Sequence, residues 1–177
     1  MLSTDRLTLR PLDDDDAAAL LALLLANRAF LEPWNPRSAP GYFTLEGVLA
    51  DIRDKRRQQE ADAVYSLGIF ERVGGALLGR ITLSRITRGP FQNAGLGYWL
   101  NERYNGRGLM SEAVGAVLTY AFGSLGLHRV EAATLLHNHG SQRVLMKNGF
   151  VRIGVSLRYL QIDGCWQDHV LFAVTND

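Results

Sequence analysis

At Val64 the hydrophobic rhythm of the chain changes from helical to extended. The runs "VYSLGIF" and "ALLGRITLSRI" are β-like and are joined by a Gly74-Gly75 turn; "RGPFQN" then leads into a third run, "AGLGYWL". Three such runs at close spacing predict an antiparallel meander, because short connections join antiparallel neighbours. The meander ends in "YNGRGLMSEA" (Tyr104 to Ala113), a glycine loop that runs straight into a helix. In that helix Val114, Val117, Leu118, Ala121 and Phe122 stand at i, i+3, i+4, i+7 and i+8, which defines one buried stripe.

The flanking segments complete a mixed plan. Upstream, "AAALLALLLA" reads as a helix whose N-terminus is capped by the acidic run Asp13 to Asp16, since carboxylates suit orphan N–H groups and the positive end of the dipole. A Pro- and aromatic-rich loop follows, then "LADIRDKRRQQEA" as a second, amphipathic helix. Downstream, "HRVEAAT" is a strand, "SQRVLMKNGF" a short helix closed by Gly149, and "LRYLQIDGCWQDHVLFAV" two strands about an Asp-Gly turn. The order is helix, helix, three strands, helix, strand, helix, two strands. It predicts a single α/β domain over residues 1–177, an α+β mixed sheet that is mostly antiparallel and flanked by helices.

Composition removes several classes. A net charge of +1 gives no general affinity for nucleic acid or an anionic membrane. The single Cys165 permits no internal disulfide and no cysteine-based zinc cluster, so a reducing cytoplasm is the expected location and no metal is expected. The apolar run at Ala17 to Ala26 lacks the basic flank of a signal peptide and falls short of the roughly 20 residues a membrane span needs.

Three anion sites compete for the glycine loop, beside the plain reading of a tight turn. A phosphate loop needs G-x-x-x-x-G-K-[ST], which is absent. A dinucleotide fingerprint needs a third glycine, but Gly106 and Gly108 are followed by Ser111, and the loop does not open a βαβ unit. The third is a pyrophosphate cradle, in which successive N–H groups at a helix N-terminus hold a coenzyme diphosphate and Arg107 adds positive charge.

The stretches "GYWLNERYNGRGLMSEA", "HRVEA" and "NHGSQRVLMKNGF" together resemble the signature of the GNAT acetyltransferase superfamily. "TDRLTLRPL", "NRAFLEPWNP" and "YLQIDGCWQDHVL" resemble more closely its ribosomal-protein-alanine N-acetyltransferases, the Rim group. The resemblance implies the GNAT fold, acetyl-CoA as cosubstrate, and the N-terminal α-amine of a protein as acceptor, possibly a ribosomal protein met by a monomer or homodimer. It also implies roles. The N–H groups from Gly106 through Arg107, Gly108, Leu109 and Met110 to Ser111 would face the pyrophosphate, Trp99 and Leu100 would flank the pantetheine arm, Asn138 would hydrogen-bond it, and Ser141 would stand near the sulfur. Two positions depart from the pattern: Asn105 stands where Gln or Arg is usual, and Met110 where a small residue is usual.

Acetyl transfer needs a neutral amine, an oriented carbonyl, a donor to the oxyanion and a proton for the thiolate. Ser141 is the candidate donor to the thiolate, with a helix N-cap hydroxyl as its ordinary role. The base is harder to find. Where many relatives carry Glu before "GYW" this chain has Gly95, and the position of a hairpin glutamate falls on Leu160, which leaves Glu32 in "FLEPW" as the candidate carboxylate. Without a dedicated base an α-amine is the easier acceptor: its neutral form near pH 7 costs about 1 kcal/mol, against roughly 4 to 5 for lysine. Trp34 is the candidate wall of the acceptor cleft, Cys165 a passive thiol, and His137 and His139 ordinary polar residues. Of Asp168 and His169, alternation predicts that one faces outward and the other makes a structural hydrogen bond. A small-molecule amine acetyltransferase, a non-catalytic acyl-CoA sensor and a nicotinamide-dinucleotide binder are the competing functions.

Overall fold

The computed structural model describes residues 1–176. One eight-stranded sheet runs in the order β1-β2-β3-β4-β5-β6-β8-β7. The strands are β1 (Leu2–Ser3), β2 (Leu7–Arg10), β3 (Tyr65–Glu71), β4 (Leu77–Thr87), β5 (Asn93–Leu100), β6 (Arg129–Leu135), β7 (Val151–Ile162) and β8 (Cys165–Thr175). The helices are α1 (Ala17–Ala26), α2 (Arg28–Leu31), α3 (Leu45–Glu60), α4 (Leu109–Gly123) and α5 (His139–Lys147). The mixed architecture and the β3–β4–β5 meander follow the sequence reading.

The first two strands do not appear in that reading. At two and four residues they are too short to show a period, and β2 exists because the edge of β3 offers it a partner, from Leu7 opposite Glu71 to Arg10 opposite Gly68. Leu7 and Leu9 are then fully buried.

Each face of the sheet carries its own core. On one, Val114, Val117, Leu118 and Ala121 of α4 pack with Leu96 of β5, Ala132 of β6 and Phe172 of β8; Phe122 completes the stripe from a half-buried position. On the other, Leu20 and Leu24 of α1 meet Val48 and Ile52 of α3 over Phe70. The acidic run caps a 3₁₀ turn, Asp14–Asp16, that leads into α1 rather than α1 itself, whose N-cap Asp16 makes no side-chain capping bond: Asp13 accepts from the N–H of Asp15, and Asp16 from the N–H of Asp13. Asp16 is also gripped by both terminal nitrogens of Arg10, and Asp14 by Arg53 of α3. The Asp163-Gly164 turn has both residues in the left-handed region, φ +45° and +80°, as a two-residue hairpin requires.

All neighbouring strands are antiparallel except β5 and β6. That parallel pair spans Asn93 opposite Arg129 to Gly95 opposite Glu131 and stops, although β5 continues to Leu100 and β6 to Leu135. The two strands therefore splay, and the wedge between them lies directly below the glycine loop.

Candidate functional site

The splayed strands open a cleft of about 970 Å³. Its walls include Trp34, Trp99, Leu100, Asn105, Gly106, Gly108, Leu109, Met110, Ser111, Asn138 and Ser141. Of the residues singled out in the sequence, Arg107 and Glu32 lie elsewhere. The Arg107 guanidinium sits 5.3 Å over the ring of Tyr104, and its carbonyl accepts from Arg6 at 3.0 Å. Glu32 lines an adjoining cleft, which shares Leu31, Asn35, Pro36 and Trp99 with the first. Its carboxylate is thus not on the wall that carries Ser141.

The loop is built for an anion. Gly106 and Gly108 take φ of +76° and +78°, and Gly108 caps α4 without any side-chain hydrogen bond. The first backbone bond of the helix is from Glu112 to Gly108, so the N–H groups of Gly106 to Ser111 have no acceptor among the described residues. Such free amides at a helix N-terminus are a ready anion site. The loop is braced from behind, because Glu112 accepts from Thr4, from the N–H of Arg6 and from the Arg6 side chain. Burial works against that carboxylate, but these hydrogen bonds outweigh it and hold it below its ordinary range. Met110, where a small residue is usual, turns its side chain into the core and leaves the open side of the loop clear.

Alternation along β5 divides the cleft into two sides. Tyr98 packs with the α4 core, and Trp99 with the α1–α3 core. On the α4–α5 side, the Tyr98 hydroxyl lies 2.8 Å from Ser141 Oγ. Asn138, rather than Ser141, is the N-cap of α5, accepting from the Ser141 N–H at 3.1 Å. The serine hydroxyl is therefore not spent on capping. Beside them, Thr134 Oγ1 is buried on the cleft wall with no hydrogen-bond partner. The row of free amides at the head of the cleft fits the diphosphate expected of acetyl-CoA.

Burial pushes the Tyr98 phenol up to about 12, with the Ser141 hydrogen bond acting against it. Since the folded value is the higher one, its stabilising contribution is complete below about pH 10 and is lost as the pH rises to about 12, roughly 2 to 3 kcal/mol in all. Melting temperature should fall over that window. Tyr98→Phe should remove part of the fall, with Tyr42, Tyr65 and Tyr120, also raised by burial, supplying the rest.

The opposite side carries Gly95, Trp34 and residues that sequence reasoning left out. A Cβ at Gly95 would stand 2.5 Å from the guanidinium of Arg85, so this arginine fills the space that a side chain at position 95 would take. Its Nη1 comes within 3.5 Å of the Tyr159 hydroxyl, and the Tyr159 ring lies 5.4 Å from that of His169. The Trp34 ring stacks at 5.3 Å on His137. Among the described residues no Asp or Glu lines this cleft, and the Lys and Arg side chains that do are Arg85, Arg143 and Lys147. No group of three or more His, Cys, Asp or Glu among the described residues could hold a metal ion.

Asp168 and His169 divide otherwise than alternation predicted. Asp168 accepts from the N–H of Arg158 and pins a bulge in β7, while His169 is buried and lines the cleft. The period of two places them on opposite sides of β8 but does not say which side is inside. The signal available for Tyr98 was its position next to Trp99, which sends it to the other side.

Residues 6–151 match the family model described as an acetyltransferase (GNAT) domain. The chain is 40% identical over 176 residues to the probable N-acetyltransferase YjcK of Bacillus subtilis (strain 168), covering 99% of this chain and 97% of that one. It is 34% identical over 174 residues to the [ribosomal protein uS5]-alanine N-acetyltransferase of Escherichia coli (strain K12), covering 98% and 90%. Among solved structures, Mycobacterium smegmatis RimJ in complex with CoA-disulfide superposes with a TM-score of 0.91 at 31% identity, over 96% of this chain and 81% of that one.

Proposed function

The chain belongs to the GNAT acetyltransferase family, and on that premise we propose that it moves the acetyl group of acetyl-CoA to the N-terminal α-amine of a protein, with a ribosomal protein as the expected acceptor. The observation that carries the choice of acceptor is that, among the described residues, no carboxylate lines the walls of the cleft. The amine must arrive close to neutral. An α-amine does so near pH 7 for about 1 kcal/mol, a lysine for roughly 4 to 5. The 34% identical relative is itself named a [ribosomal protein uS5]-alanine N-acetyltransferase, which supports the same reading. A cytoplasmic location goes with such an acceptor; no single helix among the described residues is long and apolar enough to cross a membrane.

In this reading the amides of Gly106 to Ser111 hold the pyrophosphate, with Asn105 and Arg107 at the rim, and Leu109 and Met110 anchor the loop in the core. Trp99 and Leu100 flank the pantetheine arm. Asn138 donates through Nδ2, which makes no hydrogen bond among the described residues, and Ser141 donates to the departing sulfur. Trp34 walls the acceptor side. Glu32, the candidate carboxylate of the sequence, lines the adjoining cleft and is left without a part in proton transfer in this reading.

Three substrates separate the possibilities: a peptide beginning with alanine, a lysine peptide with a blocked terminus, and a set of polyamines. Acetylation of the first at a kcat/KM at least about 100-fold above the second is expected, from the difference in deprotonation cost. Activity confined to the polyamines would replace this acceptor with a small amine.

A further inference from the structure

On the acceptor side of the cleft, where the described residues supply no carboxylate, a buried imidazole is held in a defined orientation. His169 is 3% exposed and lines the cleft wall. It stands on β8 directly across from Leu135 of β6, at the open end of the wedge. Its neighbours on β8, Val170 and Phe172, pack into the α4 core, so alternation turns His169 to the other face, the one that carries Gly95 and Arg85.

The ring has a defined tautomer. Nδ1 lies 3.0 Å from the carbonyl oxygen of Gln167, and a carbonyl can only accept, so Nδ1 carries the proton. The neutral ring then presents an unprotonated Nε2. Among the described residues that nitrogen makes no hydrogen bond, yet it is not among the sealed, unpartnered side-chain atoms there, which are Arg80 Nε, Asn93 Oδ1 and Thr134 Oγ1. Its lone pair therefore reaches the cleft.

The surroundings are built around the ring. The register of β7 on β8 shifts between Ser156 and Leu160, and Asp168 fixes the bulge through the N–H of Arg158, whose φ is +48°. The bulge swings Tyr159 onto His169, and bulges that re-aim a side chain are common beside active sites. Around His169 the titratable and charged groups are Tyr159 from β7, Arg85 from β4 beyond it, and His137 past the end of β6. Asp168, its neighbour on β8, is engaged with the bulge. The Arg85 cation disfavours entry of the acceptor as an ammonium ion.

We infer that His169 Nε2 is the base that takes the proton of the acceptor amine. This inference rests on the acetyltransferase reading of the cleft but not on the choice of acceptor. The amine nitrogen forms a bond to the acetyl carbon and gives its proton to Nε2; the C–S bond breaks and its electron pair leaves with the sulfur, where Ser141 donates a hydrogen bond and a solvent proton completes the thiol. His169 then returns its proton to water.

The test uses whichever amine of the panel the wild-type enzyme acetylates, so that a wrong acceptor leaves it intact. His169→Gln should lower kcat/KM about 100-fold at pH 7 while the Kd for CoA by calorimetry stays within threefold. The deficit should shrink as the pH rises toward the amine's own titration, because solvent then does the work of the base. An equal deficit at every pH, or a loss below threefold, overturns the inference. Independently of activity, the ¹⁵N signals of His169 in wild-type enzyme should report the Nδ1–H tautomer, and Nε2 should move when the acceptor amine is added to the CoA complex. A protonated Nε2 in the free enzyme, or no movement, overturns it even where the variant fails to fold.

Discussion

Changing Gly106 and Gly108 together to valine is expected to raise the Kd for CoA at least about 100-fold while the protein stays folded. Both glycines sit in the left-handed region, at φ +76° and +78°. An L-residue there costs roughly 1 to 2 kcal/mol, and a β-branched one more. Space is not the obstacle: a Cβ at Gly106 would meet nothing within 4 Å, and one at Gly108 only the Arg6 guanidinium at an ordinary 3.6 Å. The loop will therefore relax by turning its backbone, and the amides of Gly106 to Ser111 will no longer converge. Each charge-assisted bond to a phosphate oxygen is worth about 1.5 to 3 kcal/mol, so losing two gives the stated change. Calorimetry with CoA reads the affinity, and circular dichroism the fold. Unchanged affinity would mean that these amides do not hold the diphosphate.

Ser141→Ala should lower kcat about 100-fold and leave the KM for acetyl-CoA nearly unchanged. The reason lies in the pair that Ser141 forms with Tyr98. Tyr98 is pushed up to about 12, whereas an ordinary thiol titrates at about 8.5, so passing a proton along the pair to a thiolate would run about 5 kcal/mol uphill. The pair can only donate a hydrogen bond. Either hydroxyl of the pair can donate to the other, and when the phenol donates to Oγ the serine hydroxyl hydrogen is free to meet the charge that develops on sulfur. Removing a donor aimed at developing charge commonly lowers kcat by about 10² to 10³. Tyr98→Phe keeps Ser141 but loses its orientation, and a smaller loss of about 10-fold should follow. Steady-state kinetics decides: a Ser141→Ala enzyme within threefold of wild type in kcat would remove Ser141 from the sulfur.

What could be read from the sequence was local. Alternation gave β3, β4 and β5; the 3.6-residue period gave α4; Asp163-Gly164 gave the final hairpin. Each rests on a pattern contained within one element. The strand at Leu7–Arg10 was missed because it is created by a partner more than 50 residues away, with Leu7 paired to Glu71, and the two-residue strand Leu2–Ser3 exists only by pairing in turn with Thr8 and Leu9. The splay of β5 from β6 was invisible for the same reason, since only the register shows that pairing stops at Gly95 and Glu131. The site divided along that line. The glycine loop is contiguous and was legible, whereas the acceptor side is assembled from β4, β7, β8 and the Trp34 loop, and no spacing in the chain announces it. Glu32 illustrates the limit. A loop carboxylate can be named from the sequence, but which of two adjoining clefts it enters is set by how the loop packs.

Protein N-terminal acetylation, measured by mass spectrometry in cells with and without this enzyme, tests the central claim most directly. A small, defined set of N-terminal α-amines, ribosomal proteins among them, should lose acetylation when the enzyme is absent, and lysine acetylation should be unchanged. Identical N-termini in the two cells, with acetylated small amines as the only difference, would contradict it.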